Sequence, residues 1–126
     1  MVHPEELAAL DLLIWLRNGL EAGRRLGCNQ STISRRVETC RQSFGLRLGR
    51  MGGEWQLCGN TLLLKMERTV HQLHRFQSGE HLRLEASPWL GLLLATPPPP
   101  HWITGTFDDL GVLRPLQLLR DRVVDA

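Results

Sequence analysis

Residues 23–38 read Gly23-Arg24-Arg25-Leu26-Gly27-Cys28-Asn29-Gln30-Ser31-Thr32-Ile33-Ser34-Arg35-Arg36-Val37-Glu38, and this stretch decides the fold. Asn29 is a good N-cap, because its short side-chain oxygen can take an orphan N–H of a first helical turn. The helix it opens runs from Gln30 to about Phe44 and stops at Gly45. Ile33, Val37, Cys40 and Phe44 recur at i, i+4, i+7 and i+11, which makes one buried stripe. The opposite face holds Ser31, Arg35, Glu38 and Gln42, flanked by Thr32 and Thr39. Ahead of this helix, a short one over Leu20–Leu26 is stopped by Gly27. Two short helices joined by a Gly-containing turn, the second with a polar Arg-bearing face, form a helix-turn-helix arrangement.

On the N-terminal side, Leu7, Leu10, Leu13/Ile14 and Leu16 follow a helical period closed by Asn18-Gly19. On the C-terminal side, two alternating apolar pieces within Leu46–Cys58 flank Gly52-Gly53, a dipeptide suited to a tight hairpin turn. This predicts a small two-stranded wing. Thr61 to about Gln77 then reads as a longer helix. Its Leu63, Met66, Val70 and Leu73 are spaced 3, 4, 3, and Leu62, Thr69 and Phe76 repeat by seven. Such a heptad seam, here Leu62, Leu63, Met66, Val70, Leu73 and Phe76, signals a homodimer, although the same stripe could pack within one chain.

Charge supports a polyanion partner. The net charge of the 126 residues is only +2, but residues 17–50 carry eight arginines against Glu21 and Glu38. Arginine pairs with phosphate in a fork and reads guanine edges, so a local excess of this kind suits nucleic acid. The composition, 42% hydrophobic and 22% charged, excludes wholesale disorder. No apolar run approaches the roughly 20 residues that cross a bilayer. The start, Met1-Val2-His3-Pro4-Glu5-Glu6, lacks the basic-then-apolar pattern of a signal peptide. The expectation is a cytoplasmic, nucleoid-associated protein with no membrane contact. Cys28, Cys40 and Cys58 are odd in number and widely spaced, which suits reduced thiols better than a disulfide or zinc framework.

Beyond Ser78-Gly79-Glu80 the character changes. His81–Ala86 alternates like a strand, Trp89–Ala95 is short and apolar, and Pro97–Pro100 imposes an extended segment. Trp102–Phe107 reads as a strand, Asp109 as a cap for a helix over Val112–Arg122, and Val123–Ala126 as the start of another strand. So small a strand–helix–strand piece cannot cover its own sheet and reads as an incomplete domain. The predicted class is mainly α, a winged helix-turn-helix with a long dimerisation helix followed by an incomplete α/β fragment. The domains are residues 1–60 for DNA binding, 61–80 for the linker and dimerisation helix, and 81–126 for a partial effector-binding domain.

Residues 23–38 resemble the helix-turn-helix of LysR-type transcriptional regulators. Phe44-Gly45-Leu46-Arg47-Leu48 is similar to that family's L-G-x-x-L-F, and Leu57-Cys58 stands where it usually has L-T. The resemblance covers about residues 7–77, and the tail is similar to the start of the family's effector domain. It implies a sequence-specific regulator that binds duplex DNA as a dimer, with the helix from Gln30 in the major groove. Gln30, Ser31, Ser34 and Arg35 match positions that reach bases and phosphates, Thr32 accompanies them, and Arg36, Arg41, Arg47 and Arg50 are assigned to backbone phosphates. Glutamine can bond adenine in two places and arginine can take guanine O6 and N7, so the chemistry stands beside the resemblance. The hairpin departs from the family pattern, with Met51-Gly52-Gly53-Glu54 a residue short and an acid at its tip.

Ser87 matches the position where members often hold an effector anion, so a small-molecule effector is expected only if that domain is completed. His71 and His74 at i, i+3, with His81 beyond, lack a cysteine or carboxylate to complete a metal site. No G-x-S-x-G, buried carboxylate pair or phosphate loop occurs, so neither an enzyme nor a cofactor is expected. The alternative reading is a truncated, non-enzymatic interaction module that dimerises with a full-length regulator and sequesters it.

Overall fold

A computed structural model describes residues 2–126. Among the described residues there are six helices and two small sheets, with about 54% helix and 13% strand, so the architecture is mainly α. The elements are α1 (Pro4–Leu16), α2 (Gly19–Leu26), α3 (Gln30–Phe44), β1 (Arg47–Met51), β2 (Glu54–Cys58), α4 (Leu62–Ser78), β3 (Leu82–Leu84), α5 (Pro88–Leu94), β4 (Trp102–Thr104) and α6 (Leu113–Arg120). Two compact units form, one ending at Glu67 and one spanning Arg68–Ala126, with the division inside α4.

In the first unit each helix starts with a side-chain cap. His3 Nδ1 accepts the Glu5 N–H at 3.2 Å, with Pro4 in the first turn and Glu5 and Glu6 placed where they offset the helix dipole. Asn18 Oδ1 accepts from Leu20 N at 2.8 Å, and Asn29 Oδ1 accepts from Thr32 N at 2.8 Å. The sequence reading gave α1 a single apolar stripe. Instead Leu7 and every residue from Ala9 to Leu16 are buried, including Asp11, so α1 is the central element against which α2 and α3 pack. Ile33, Val37 and Cys40 supply α3's buried stripe, and Phe44 at its end is half-buried.

The α2–α3 turn is tight. The Cys28 N–H donates to Gly23 O at 2.9 Å, and a Cβ on residue 23 would lie 2.5 Å from Cys28 O. That is backbone against backbone, with no flexible tip to yield. Gly23→Ala is therefore expected to destabilise the first unit by about 1–3 kcal/mol, as overpacking does. Urea unfolding followed through the buried Trp15 measures it, and a change below half a kilocalorie would show that the turn relaxes freely.

β1 and β2 form an antiparallel hairpin with Arg50 opposite Trp55 and Met51 opposite Glu54. Gly52 and Gly53 close it with φ of 58° and 80°, the left-handed pair that a two-residue turn of matching twist requires. The hairpin is anchored at the end of α1. Arg17 caps that helix with φ 64°, and its carbonyl accepts from both Trp55 Nε1 and Arg50 Nη2 at 3.3 Å.

In the second unit β3 lies parallel to β4, with Leu82 opposite Trp102 and Leu84 opposite Thr104. The tail strands are shorter than the sequence suggests, at three residues each. Residues 123–126 form no assigned strand, yet Asp125 N and Ala126 N donate to Arg83 O, and Glu85 N donates to Ala126 O. Because alternate residues of β3 bond to β4 and to this segment, β3 sits between them. Trp89–Ala95 is realised as α5. Asp109 does not cap α6: its Oδ1 accepts from Gly111 N at 3.0 Å, and Val112, the residue ahead of α6, makes no side-chain cap.

A buried ion pair holds this unit together. Asp125, with a fully buried side chain, accepts from Arg75 Nε and Nη2 at 2.8 Å, from Gln72 Nε2 at 3.0 Å and from Arg83 N at 3.0 Å. Arg122 Nη1 donates to Gln72 Oε1 at 2.7 Å, and Arg83 Nη1 donates to Val123 O at 3.0 Å.

Candidate nucleic-acid interface

α3 presents Gln30, Ser31, Ser34, Arg35, Glu38, Thr39 and Gln42 to solvent, because its buried stripe turns the other way. Of the sequence-predicted contacts, Gln30, Ser31, Ser34 and Arg35 share this exposed face, and Thr32 lies half-buried at its edge. The helix start is pre-ordered. Ser31 Oγ donates to Asn29 Oδ1 at 2.7 Å, and Arg35 Nη2 donates to Thr32 Oγ1 at 3.3 Å. The face is kept free of a competing acid field by Arg41, which pairs with Glu38 through two nitrogens. That hydrogen bond holds the Glu38 carboxyl below the usual carboxylate range and raises the Arg41 guanidinium above its ordinary value.

The remaining arginines sit differently. Arg41 also donates to Leu46 O at 2.8 Å, tying the end of α3 to the entry of β1. Arg36 is half-buried, 3.2 Å from Glu5 Oε2 and 3.9 Å from Cys28 Sγ. A phosphate at either arginine would share it with a carboxylate. Arg50 lies on the side of the hairpin that faces the domain, its guanidinium 5.2 Å above the Trp55 ring. The alternation that puts Arg50 beside Leu48 was the signal for this; Arg47 lies on the other face, and both arginines are exposed. Cys40 is buried, Cys28 half-buried and Cys58 exposed, and none of the three is in a disulfide.

The six seam residues of α4 are all exposed, between 49% for Val70 and 62% for Leu63. The packing of this stripe within one chain, left open by the sequence, is therefore not what forms. Leu64, Arg68, Gln72 and Arg75 occupy the buried side of the helix instead.

Ser87 caps α5, accepting from Leu90 N at 3.4 Å, and borders a concavity of about 170 Å³. Glu85, Asp108 and Asp109 also line it, with no basic residue, so its field is wrong for the anion expected at Ser87. Among the described residues, no three His, Cys, Asp or Glu side chains group to hold a metal, and no helix is long and apolar enough to cross a membrane.

No family model and no curated protein sequence matches the chain. Among solved structures, Corynebacterium glutamicum OxyR in its oxidized form is similar at 15% identity and a TM-score of 0.48, over 98% of this chain and 45% of that one. The chain thus spans less than half the length of that protein.

Proposed function

We propose that this chain is a non-catalytic, sequence-specific DNA-binding regulator of LysR type. Residues 1–60 act as a winged helix-turn-helix, α4 as the dimerisation helix, and the tail as part of an effector domain. The observation that carries the reading is α3's exposed face, where Gln30, Ser31, Ser34 and Arg35 stand together at the capped start of the helix. A helix start presented in this way suits entry into the major groove, since its N–H groups favour phosphate while its side chains reach base edges. Gln30 and Arg35 are the base readers, and Ser31, Thr32 and Ser34 serve phosphate or base. Arg36, Arg41 and Arg50 hold the backbone secondarily, through the pairings already described.

Binding to a labelled duplex of about 30 bp, long enough for two half-sites a helical turn apart, tests this. Affinity should fall steeply between about 50 and 200 mM salt, in proportion to the phosphates contacted. A salt-independent signal would remove the basis of the reading. After selection of a preferred site from random duplexes, Arg35→Ala should lose about 1–3 kcal/mol of discrimination at one base position. A uniform loss with a shallower salt slope would move Arg35 to phosphate, and unchanged binding would sink the docking.

A second reading, an interaction module that pairs with a full-length regulator through α4, is favoured by the exposed seam. It predicts pairing without appreciable affinity for duplex DNA.

A further inference from the structure

We propose that Gly19, the first residue of α2, is a positioning residue for base recognition: its bare backbone is the floor on which the Gln30 side chain is laid. This rests on the reading of α3 as the DNA-binding helix and names what aims one of its base readers.

The starts of α2 and α3 lie side by side. Gly19 opens α2 behind the cap Asn18, and Gln30 opens α3 behind the cap Asn29. A Cβ on residue 19 would lie 3.2 Å from Gln30 Cγ, 3.4 Å from its Nε2 and 3.7 Å from its Cδ. The glutamine, from stem to amide, thus fills the space that a side chain at 19 would take. Nothing in α2 itself asks for glycine here. The backbone of Gly19 lies outside the left-handed region, and glycine weakens a helix relative to alanine. Gly23 of the same helix makes the contrast, since its Cβ would strike the Cys28 carbonyl oxygen at 2.5 Å and backbone packing accounts for it. At Gly19 the obstructed group is a flexible side chain, and it is one assigned to a base edge.

A bidentate bond to adenine needs the glutamine amide held in one plane against N6 and N7. An exposed glutamine at a helix start would otherwise sweep many rotamers, and fixing such a side chain on binding costs roughly two- to tenfold in affinity. Resting on Gly19 confines it before the duplex arrives. The floor is itself firm, because Asn18 Oδ1 accepts from Leu20 N at 2.8 Å and from Glu21 N at 3.4 Å. A side chain held in this way discriminates, since a wrong base leaves its donor and acceptor unpaired. Gln30 carries no charge, so its aim alters base preference and leaves counterion release alone.

The test uses the full chain with the duplex of about 30 bp that the natural chain selects from random sequences, together with its single-base-pair variants. Anisotropy across a salt series is read for the natural chain, Gly19→Ala, Gly19→Val, Gln30→Ala and the double substitution Gly19→Val with Gln30→Ala. Gly19→Val should bind the selected duplex roughly three- to tenfold more weakly. It should lose its preference at the same A·T pair as Gln30→Ala, with Gly19→Ala intermediate and the salt slope unchanged in both. In the double substitution Gly19→Val should add no further loss, because both changes act through one side chain. The melting temperature of Gly19→Ala should hold or rise, since alanine favours the helix. A lower melting temperature for Gly19→Ala would make the glycine a packing requirement and overturn the inference. So would preference kept by both Gly19 variants, a loss spread evenly over all base pairs, or a Gln30→Ala chain with every preference intact. In those cases salt-dependent, site-selective binding by the natural chain still upholds the reading of α3. Failure of the natural chain to bind or to select a site overturns both.

Discussion

Asp125→Ala is expected to cost the second unit about 3–5 kcal/mol, enough to unfold a piece of this size at room temperature. The carboxylate is fully buried and takes four hydrogen bonds, two of them from the Arg75 fork. Its removal strands a guanidinium that is itself only 8% exposed on its side chain. Desolvation of that unpaired charge dominates the loss; the lost contacts are the smaller part. Amide exchange of β3 and the near-ultraviolet signal of Trp102 report on this unit, while Trp15 in α1 reports on the other. The β3 amides should lose protection with α1 unaffected. The double substitution Arg75→Met with Asp125→Leu should recover much of the stability, since no charge is then left buried. A loss below about 1 kcal/mol for Asp125→Ala would mean that Arg75 swings out to water.

On the proposed reading of α4 as a dimerisation helix, Leu73→Glu is expected to leave the chain a monomer at micromolar concentration. Leu62, Leu63, Met66, Val70, Leu73 and Phe76 are each about half exposed, and together offer roughly 600 Å² per copy, or about 1,200 Å² across a pair. That lies at the lower bound for a stable interface, so one central charge has a large effect. Burying it costs a few kcal/mol, and each 1.4 kcal/mol is about tenfold in affinity. Sedimentation of the full chain measures this. α5 exposes an apolar surface of its own, so Leu93→Glu is the control; lying outside the seam, it should leave the dimer intact. A natural chain that sediments as a monomer, or a dimer abolished equally by Leu93→Glu, would take the interface away from α4.

Local rules made much of this legible. Asn18, Asn29 and Gly52-Gly53 act where short-range chemistry alone decides, so the helix starts and the hairpin could be read directly. The 3.6-residue period likewise separated the inner and outer faces of α3, whereas in α4 it marked an apolar stripe that is exposed and left the buried side unread. α1 escaped that rule because an apolar run without a polar face has no period to measure, and only packing reveals that it is enclosed. The Asp125 clamp was illegible for another reason. Gln72, Arg75, Arg83 and Arg122 read as solvated polar residues until a chain reversal some 50 positions away brings a carboxylate among them. The bond from Arg50 to Arg17 O escaped the reading too, although the alternation of its own strand sets Arg50 on the Leu48 and Trp55 side.

Arg17 has a reach beyond its own contacts. A non-glycine residue in the left-handed region closes α1, and its single carbonyl receives both hairpin side chains while its guanidinium steadies Glu54. The tilt of the hairpin is thereby hung on one peptide group outside the recognition helix. On the proposed reading, relatives that differ at this position would aim the same hairpin at a different depth along the duplex. The reach of the hairpin beside α3 would then change through a residue that meets no base, leaving the recognised letters as they were.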